Sequence, residues 1–391
     1  MKTKTSFYLF SFLVLGMCLM LTESCDKDDE PVPILTTSDV TEITPVSAKC
    51  GGHITSNGGA TVTERGVCWS TGLTPTIADS KTSEVPGTST FTSTISGLTA
   101  GTTYYVRSYA TNANGTGYGA ALSFQAFNPS IVMVSIPGGT FTMGSPITEV
   151  DRYPNESQHV VTLTPFRMNK FEITNTQFAA FLNAKSIGSD GLYAAGTYPT
   201  EALIYTSMYN YDLGLHYALG QWAPVVGYEN HPVNNVTWYG AAEFATFMGG
   251  HLPTEAQWEY ACRAGTTTTF NTGICLNNLQ ANYSWKYPYN TCTNTNMTSP
   301  GKTQPVGSYS PNAFGLHDMH GNVWEWCNDW YGTYYIGPQT DPTGSATGLS
   351  RVMRGGGWFV GGADGCRSAF RLYGPPDGYS DNRGFRLVSP E

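Results

Sequence analysis

The segment from His317 to Trp330, HDMHGNVWEWCNDW, constrains the fold more than any other part of the chain. It contains Trp324, Trp326 and Trp330, whose indole rings are too large and too closely spaced for ordinary surface residues. Buried aromatic rings supply much of the apolar area of a core. The segment therefore predicts an aromatic floor on which the rest of a sizeable domain is built.

The same segment carries oxygen atoms that suit a calcium ion. Asp318 and Glu325 offer carboxylates, and Gly321 permits the tight turn that brings its own carbonyl and that of Val323 close to them. The alternative is that both carboxylates are turn and cap residues around the aromatic core. The spacing alone does not separate these two interpretations.

Six segments carry a resemblance to a known family. In chain order they are PGGTFTMGS at 137–145, HPVNNVTW at 231–238, LPTEAQWEYACRAGT at 252–266, NAFGLHDMHGNVWEWCNDWY at 312–331, RGGGW at 354–358 and GFRLV at 384–388. Together they resemble the formylglycine-generating enzyme, or sulfatase-modifying factor, family over residues 130–391. The resemblance implies an irregular α+β fold related to C-type lectins. It does not imply the reaction, because the superfamily includes ergothioneine-type, gliding-motility-type and lipoprotein members.

The resemblance implies copper chemistry only where two cysteines lie five positions apart, shortly after a GGS-aromatic stretch. In RGGGWFVGGADGCRSAFR the first position is Val360, and the second falls at Gly365 or Cys366. A Cu(I) ion needs two thiolates held nearly in line, and here only Cys366 is available. Two alternatives remain open: Cys366 acts with Cys262 or Cys327, or it forms a structural disulfide with one of them.

The resemblance also assigns calcium ligands. A first site would use the side chains of Asp318 and Glu325 with the backbone of Gly321 and Val323. A second site would begin at Asn282 and Tyr283, although no acidic partner is evident downstream of them. His317 and His320 lie beside the aromatic core and are expected to be hydrogen-bonded structural residues rather than metal ligands.

The N-terminus resembles a bacterial lipoprotein signal. Lys2 and Lys4 precede the apolar run Phe7 to Leu21, so residues 1–24 are expected to be a signal peptide, with lipid on Cys25 and an acidic linker at 25–33. Simple secretion with a different cleavage site is the alternative. We expect this lipid to attach the protein to the outer membrane. The sequence does not decide whether the protein is exposed at the cell surface. The formal net charge of −9 argues against a nucleic-acid partner.

Residues 34–127 consist of short alternating runs separated by Gly, Asn and Thr turns, which predicts an all-β sandwich. The run GLTAGTTYYVRSYATNANGTGYG resembles the end of a fibronectin type III repeat, and Trp69 takes the position of that repeat's central-strand aromatic residue. Cys50 and Cys68 could form a disulfide, which the sequence cannot establish.

In the larger domain, three helices and two long loops are predicted. Capping boxes begin two helices at Thr174 and Thr254, and Thr237 caps a third. The loops 186–228 and 266–308 are rich in Tyr, Asn and Thr, and a disulfide between Cys275 and Cys292 is plausible in the second. Such loops can stack on a sugar or a peptide, or be ordinary solvated insertions. Four arginines are expected to pair with carboxylates such as Asp364, Asp377 and Asp381, namely Arg367, Arg371, Arg383 and Arg386.

Three functions follow from these observations. The first is an exported lipoprotein that has lost the copper-binding cysteine pair and binds a peptide or glycan, with calcium supporting the loop near Asp318. The second is a copper-dependent oxidoreductase that converts a sulfatase cysteine to formylglycine. The third is a structural component of an envelope or gliding-type complex. The sequence leaves enzymatic activity undecided.

Overall fold

The computed structural model describes residues 31–87, 90–127, 131–206, 214–359 and 361–391. The predicted signal peptide, Cys25 and Val360 lie outside these residues. Within the described ranges, no helix combines the length and the apolar character needed to cross a membrane.

The described part of residues 31–127 forms two antiparallel sheets, one with the order β1-β2-β5 and one with the order β4-β3-β6-β7, in which β8 also pairs with β6. Both sheets contribute side chains to a single hydrophobic core. The strands are β1 Ile34–Thr37, β2 Ser47–Ser56, β3 Glu64–Ser70, β4 Ser80–Lys81, β5 Phe91–Ser96, β6 Thr103–Asn112, β7 Gly115–Tyr118 and β8 Leu122–Gln125.

Strand alternation explains why the possible disulfide between Cys50 and Cys68 is not formed. On β3, Val67 and Trp69 point into the shared core, and Cys68 between them points to the opposite face of its sheet. Cys50 belongs to the core, so the two thiols lie on different sides of β3. Both are buried free thiols.

The three predicted helices of the larger domain are confirmed. They are α1 Asn175–Ala184, α2 Trp238–Phe247 and α3 Glu255–Arg263. Thr174 and Thr254 each form a complete capping box with the glutamine three residues on, and Thr237 accepts a hydrogen bond from Gly240 N. The side-chain oxygens satisfy backbone donors that the first helical turn leaves without partners.

Short strands make up the rest of the regular structure. They are β9 Met133–Ile136, β10 Gly139–Met143, β11 His159–Leu163, β12 Phe166–Asn169, β13 Leu215–Ala218, β14 Gln221–Pro224, β15 Trp324–Trp330, β16 Gln339–Thr340, β17 Arg351–Arg354, β18 Leu372–Gly374, β19 Arg383–Gly384 and β20 Val388–Pro390. They form sheets with the orders β10-β11-β16, β20-β12-β9, β13-β14 and β18-β17-β15-β19. Few helices and many small sheets give the irregular α+β domain that was expected.

Strand β15 separates two hydrophobic cores. Trp324 and Trp326 project into the core formed with α1 and α2, whereas Cys327 belongs to the core beneath α3. The predicted aromatic floor is therefore confirmed for these two tryptophans. Trp330 is partly exposed, and its ring packs against the Arg351 guanidinium at 3.5 Å.

The two long loops differ in structure. The first contains the hairpin β13–β14, which was not predicted, and its turn residues Leu219 and Gly220 have φ values of 53° and 82°. The described second loop has no helix or strand, and the disulfide between Cys275 and Cys292 is confirmed. This disulfide holds together a segment that lacks the backbone ladder of a sheet.

Candidate functional site

Cys366 ends a single 3-10 turn, Ala363–Cys366, and is 1 % exposed. It is a free thiol in a small hydrophobic cluster with rings from the second loop, including Phe270 and Tyr283. Burial raises the pKa of the Cys366 thiol far above its usual range, because the thiolate would lose its hydration. The thiol therefore remains protonated.

The structural disulfide expected for Cys366 is not formed. Cys262 and Cys327 are also buried free thiols, and both belong to the core beneath α3 rather than to the cluster around Cys366. His320 lies beside both Cys262 and Cys366: its Nε2 is 3.9 Å from Cys262 Sγ, and its Nδ1 is 2.8 Å from the Cys366 carbonyl oxygen. The His320 ring therefore lies beside both cysteines, which belong to different clusters and form no disulfide.

The expected structural role of both histidines is confirmed. His320 Nδ1 donates to the Cys366 carbonyl, and Nε2 accepts from Asn271 N at 3.0 Å. These bonds suit a neutral ring, and burial lowers the pKa of His320 to about 4. His317 Nδ1 donates to the Tyr309 carbonyl at 2.7 Å.

The expected pairing with carboxylates is confirmed for Arg367, Arg371 and Arg386, but the partners are glutamates, so the aspartates suggested by the sequence are wrong. The pairs are Arg354–Glu259, Arg367 with Glu149 and Glu156, Arg371–Glu255 and Arg386–Glu325. A buried guanidinium needs a buried carboxylate, and the neighbouring aspartates are engaged locally: Asp364, for example, accepts from Gly362 N. Arg383 instead lies over the Trp326 ring, 5.6 Å from its centre.

Three carboxylates and one guanidinium meet at the loop that precedes β15. Glu325 accepts from Arg386 through both oxygens at 2.7 Å, and its Oε2 also accepts from Trp258 Nε1 at 2.7 Å. Glu172 accepts from Asn322 Nδ2 at 2.7 Å. Burial, together with repulsion from Asp318 and Glu325, raises the pKa of Glu172 well above its usual value.

Asp318 is the member of this cluster with an unused oxygen. Its Oδ2 accepts from Gly307 N at 2.6 Å, but Oδ1 is buried and meets no hydrogen-bond donor in the described part of the chain. Burial raises the pKa of Asp318 to about 6. An orphaned carboxylate oxygen among further carboxylates is an environment that favours a cation.

Two of the other predicted metal residues, Gly321 and Asn282, are adjacent to each other, whereas the Tyr283 hydroxyl is bonded elsewhere. Gly321, with φ of 83°, forms a bridge with Asn282, whose Oδ1 is also buried without a partner among the described residues. Tyr283 is directed away, and its hydroxyl donates to the Leu276 carbonyl and contacts Asn294. Glu325 lies on β15 rather than in the loop.

These residues fit an oxygen-coordinated cation better than a cage of acidic side chains. No group of three His, Cys, Asp or Glu side chains in the described ranges is arranged to hold a metal. The free oxygens of Asp318 and Asn282 and the carbonyls of the turn are the ligand types that calcium prefers. The two predicted sites adjoin at the bridge between Gly321 and Asn282.

Sequence reasoning missed Glu172. It follows Phe171 and precedes Ile173, just before the Thr174 cap, and it is completely buried. A single charged residue within an apolar approach to a helix is a signal that could have identified it. Its partners Asn322 and Val323 are remote in the chain, so their identity was not available from the sequence.

Aromatic residues from both long loops and from the segments before and after the Cys366 turn form two ring pairs and one further exposed ring. We define the aromatic face as Tyr205, Tyr287, Trp358, Phe359 and Tyr379. Tyr205 and Tyr379 stack at 4.0 Å between ring centres, and Trp358 and Phe359 lie 5.1 Å apart. The Tyr287 carbonyl accepts a hydrogen bond from the N–H of Ala363, the first residue of the turn that carries Cys366. The rings of Tyr205, Tyr287 and Phe359 are exposed.

Residues 121–390 match the family described as sulfatase-modifying factor enzyme 1-like domain. The chain is 34% identical over 282 residues to a formylglycine-generating enzyme of Streptomyces coelicolor, covering 66% of this chain and 88% of that protein. It is 31% identical over 281 residues to a formylglycine-generating enzyme of Mus musculus, covering 66% and 74%. The structure of PvdO from Pseudomonas aeruginosa is similar at 25% identity and a TM-score of 0.48, covering 66% of this chain and 94% of that one.

Proposed function

The chain belongs to the sulfatase-modifying factor family, and on that basis we propose that its larger domain binds a peptide or glycan without oxidising it. The observation that carries this proposal is the state of Cys366. It is a solitary, protonated and fully packed thiol in the segment where copper-dependent relatives carry two cysteines.

Copper does not fit this donor set. A linear Cu(I) site requires two thiolates, and the other family position is Val360. The neighbouring thiol, Cys262, is also fully buried, and its pKa is raised to about 12 by burial. Both thiols are protonated, so they lack the negative charge that binds Cu(I). Both are also buried in separate cores, so a substrate cysteine could not reach them.

The aromatic face supports ligand binding near this segment. Exposed rings present apolar area with little conformational entropy to lose, which suits the flat face of a sugar or the side chains of a peptide. Trp358 Nε1 donates to the Asp381 carbonyl at 3.1 Å, so the central ring is fixed before a ligand arrives. We expect Phe359→Ala and Tyr205→Ala to weaken binding while leaving the unfolding temperature unchanged.

The decisive experiment pairs a binding screen with an oxidation assay. Purified protein is applied to peptide and glycan arrays, and separately is loaded with copper and mixed under oxygen with a peptide that carries a Cys-x-Pro-x-Arg motif. We expect array binding that Phe359→Ala reduces, and no aldehyde by mass spectrometry. An active relative assayed in parallel is the control for the oxidation conditions.

Aldehyde formation that disappears in Cys366→Ser would overturn the proposal in favour of an oxidoreductase. Cys262→Ser in the same assay would show whether the neighbouring thiol takes part. No array binding by the purified protein, together with a stable complex when solubilised envelope proteins are added, would point instead to a structural component of an envelope complex.

Calcium binding near Asp318 is a second part of the proposal, and the orphaned Oδ1 of that residue supports it. A ligand that binds only the folded chain raises stability, by about 2.7 kcal/mol at a hundredfold excess over the dissociation constant. We expect calcium to raise the unfolding temperature of the wild type and not of Asp318→Ala. Asp39→Ala removes an exposed carboxylate and should retain the full effect.

Export as a lipoprotein and the role of the N-terminal sheets complete the proposal. Cys25 follows a signal-like segment, and the sheet orders β1-β2-β5 and β4-β3-β6-β7, with β8 also paired with β6, support a fibronectin type III-like spacer. Such a spacer would hold the larger domain away from the outer membrane. Incorporation of a fatty-acid analogue that is lost in Cys25→Ala, together with fractionation of the cell envelope, tests this.

A further inference from the structure

A cavity of about 200 Å³ opens at the end of β15 remote from the Cys366 turn. Trp324, at the near end of the strand, packs against Gly365, whereas the cavity is lined by Asp329 and Trp330. Its other walls come from β11, α3 and the segment after β15. None of the residues that the sequence marked as catalytic or metal-binding lines it.

One carboxylate in this cavity is neutralised and another is not. Glu255 accepts from Arg371 Nε and Nη2 at 2.6 and 2.8 Å, and from the Tyr334 hydroxyl at 2.9 Å. Asp329 accepts through Oδ2 from Glu255 N at 2.9 Å and forms no ion pair within the described ranges. Its second oxygen is left for a ligand.

The buried position of Asp329, close to a second carboxylate, favours a cation as its binding partner. Asp329 is only 4 % exposed, and burial together with repulsion from Glu255 raises its pKa to about 7, against the smaller opposing effects of Arg371 and Arg351. His159 Nδ1 donates to the Ser157 carbonyl at 3.1 Å, so in the neutral ring Nε2 is an acceptor. The cavity thus presents acceptors and an unpaired carboxylate.

Aromatic rings complete the site. The His159 and Tyr334 rings pack at 4.7 Å, which makes one wall rigid. Tyr335 also lines the cavity and is 67 % exposed, so its ring can cover an alkyl stem or face a cation.

We propose that this cavity binds a cationic amine or guanidinium group, as carried by a lysine or arginine side chain of a peptide, with Asp329 as its counter-ion and Tyr335 against its stem. This inference rests on the proposed ligand-binding function and narrows the ligand to a peptide. A neutral sugar would leave the carboxylate unpaired, so it is the less favoured occupant.

The charge balance gives the proposal a pH signature. A bound cation favours the ionised carboxylate and opposes the repulsion from Glu255, so ligand binding and deprotonation of Asp329 are linked. Affinity should rise as the pH passes upward through about 7, the pKa of Asp329. Below that pH, binding should release a proton to the buffer.

The test uses the whole purified protein and small probes. N-acetyl-arginine amide, N-acetyl-lysine amide, the isosteric but uncharged N-acetyl-norleucine amide, and N-acetylglucosamine are titrated calorimetrically in buffers of different ionisation enthalpy. We expect the cationic probes to bind and the other two not to. Asp329→Asn, in which Oδ1 of the amide can still accept from Glu255 N, should weaken binding by about ten- to a hundredfold.

Two further variants guard against a folding artefact. Asp39→Asn changes the same charge at an exposed position of the N-terminal sheets and should leave affinity unchanged. Tyr335→Ala removes an exposed ring and should weaken binding severalfold at an unaltered unfolding temperature. Equal affinity in wild type and Asp329→Asn, preference for norleucine amide or the sugar, or no heat at tens of millimolar probe would overturn the inference.

The outcomes separate this inference from the function on which it rests. Equal calorimetric affinity of the wild type and Asp329→Asn for the cationic probes, with array binding that persists, removes the cation pocket and leaves the peptide- or glycan-binding function standing. Aldehyde formation removes the non-catalytic function, whatever the amine probes show.

Discussion

At the scale of single residues, the larger domain depends on buried guanidinium–glutamate pairs. Arg386 donates to both oxygens of Glu325 and also to the His317 carbonyl, with its guanidinium fully buried. Two charges removed from water lose hydration, and only their mutual attraction and complete hydrogen bonding offset that loss. Truncating Arg386 would therefore leave the Glu325 carboxylate buried without a cation.

Arg386→Met is therefore expected to lower the free energy of unfolding by about 3–5 kcal/mol, because Glu325 would remain buried without its cation. Chemical denaturation followed by tryptophan fluorescence measures this. The double change Arg386→Met with Glu325→Gln should recover part of the loss. Lys49→Met breaks an exposed pair with Glu42 and should cost less than about 1 kcal/mol; equal effects of the two single changes would refute the argument.

Asp329 gives a pH-dependent prediction of the opposite kind. Burial raises its pKa in the folded chain to about 7 from the ordinary value of 3.8, so the folded chain holds a proton that the unfolded chain releases. Its contribution to stability is present below the unfolded pKa and is lost as the pH rises toward 7.

Asp329→Asn should remove that loss, making the variant more stable than the wild type above about pH 7 by about 4 kcal/mol and similar to it near pH 4. Thermal unfolding across this range, without added ligand, measures it. A constant difference between the two proteins at all pH values would show that the carboxyl group does not titrate in the folded chain as inferred.

At the scale of elements, helix α3 connects several features of the domain. It begins with the Thr254 capping box, provides Glu255 and Glu259 to buried ion pairs, and directs Trp258 to Glu325. The position of α3 therefore determines where two ion pairs form, Arg354–Glu259 and Arg371–Glu255. Disorder at the first turn of α3 should therefore lower the unfolding free energy of the larger domain.

Thr254→Ala is expected to cost about 1 kcal/mol, because the hydroxyl no longer accepts from Gln257 N. Thr254→Ser retains the hydroxyl and should behave nearly as the wild type, which makes the pair a matched comparison in denaturant unfolding. Thr298→Ala, at an exposed loop position, is a second reference. Equal destabilisation by the alanine and serine changes at 254 would argue against the cap.

The elements that could be predicted are those whose signals are local. Thr174 with Gln177 and Thr254 with Gln257 carry their helix starts within one turn, and the spacing of the aromatic floor residues matches one face of β15. The hairpin β13–β14 was missed because Leu219 adopts positive φ, where Gly or Asn would have indicated the turn.

Partners that lie far apart in the chain could not be predicted. Arg367 pairs with Glu156 across a sequence separation of 211 residues, whereas the sequence suggested aspartates nearby. The same holds for Glu172, whose carboxylate reaches Val323 N across 151 residues. Only the folded backbone brings these groups together, so composition and spacing carry no signal for them.

At the scale of the whole molecule, the N-terminal sheets and the larger domain have separate cores. The core of residues 31–127 shares no member with the others, and Phe127, at the boundary, packs edge-on against Phe247 with 5.0 Å between ring centres. Units with independent cores unfold independently unless their interface is large.

Differential scanning calorimetry is therefore expected to resolve two transitions. Arg386→Met and Thr254→Ala should lower only the transition of the larger domain, because both residues lie there, and Lys49→Met should affect only the other. A single transition that all three variants shift together would show that the two units unfold as one.

The long-range ion pairs also set an order of events during synthesis. Their cations come from Arg354, Arg367, Arg371 and Arg386, whereas their glutamates all precede residue 326. A nascent chain that leaves the ribosome, or passes through a translocation pore, N-terminus first therefore presents these carboxylates before any partner exists. These four ion pairs therefore cannot be complete until the segment that contains Arg386 has been synthesised.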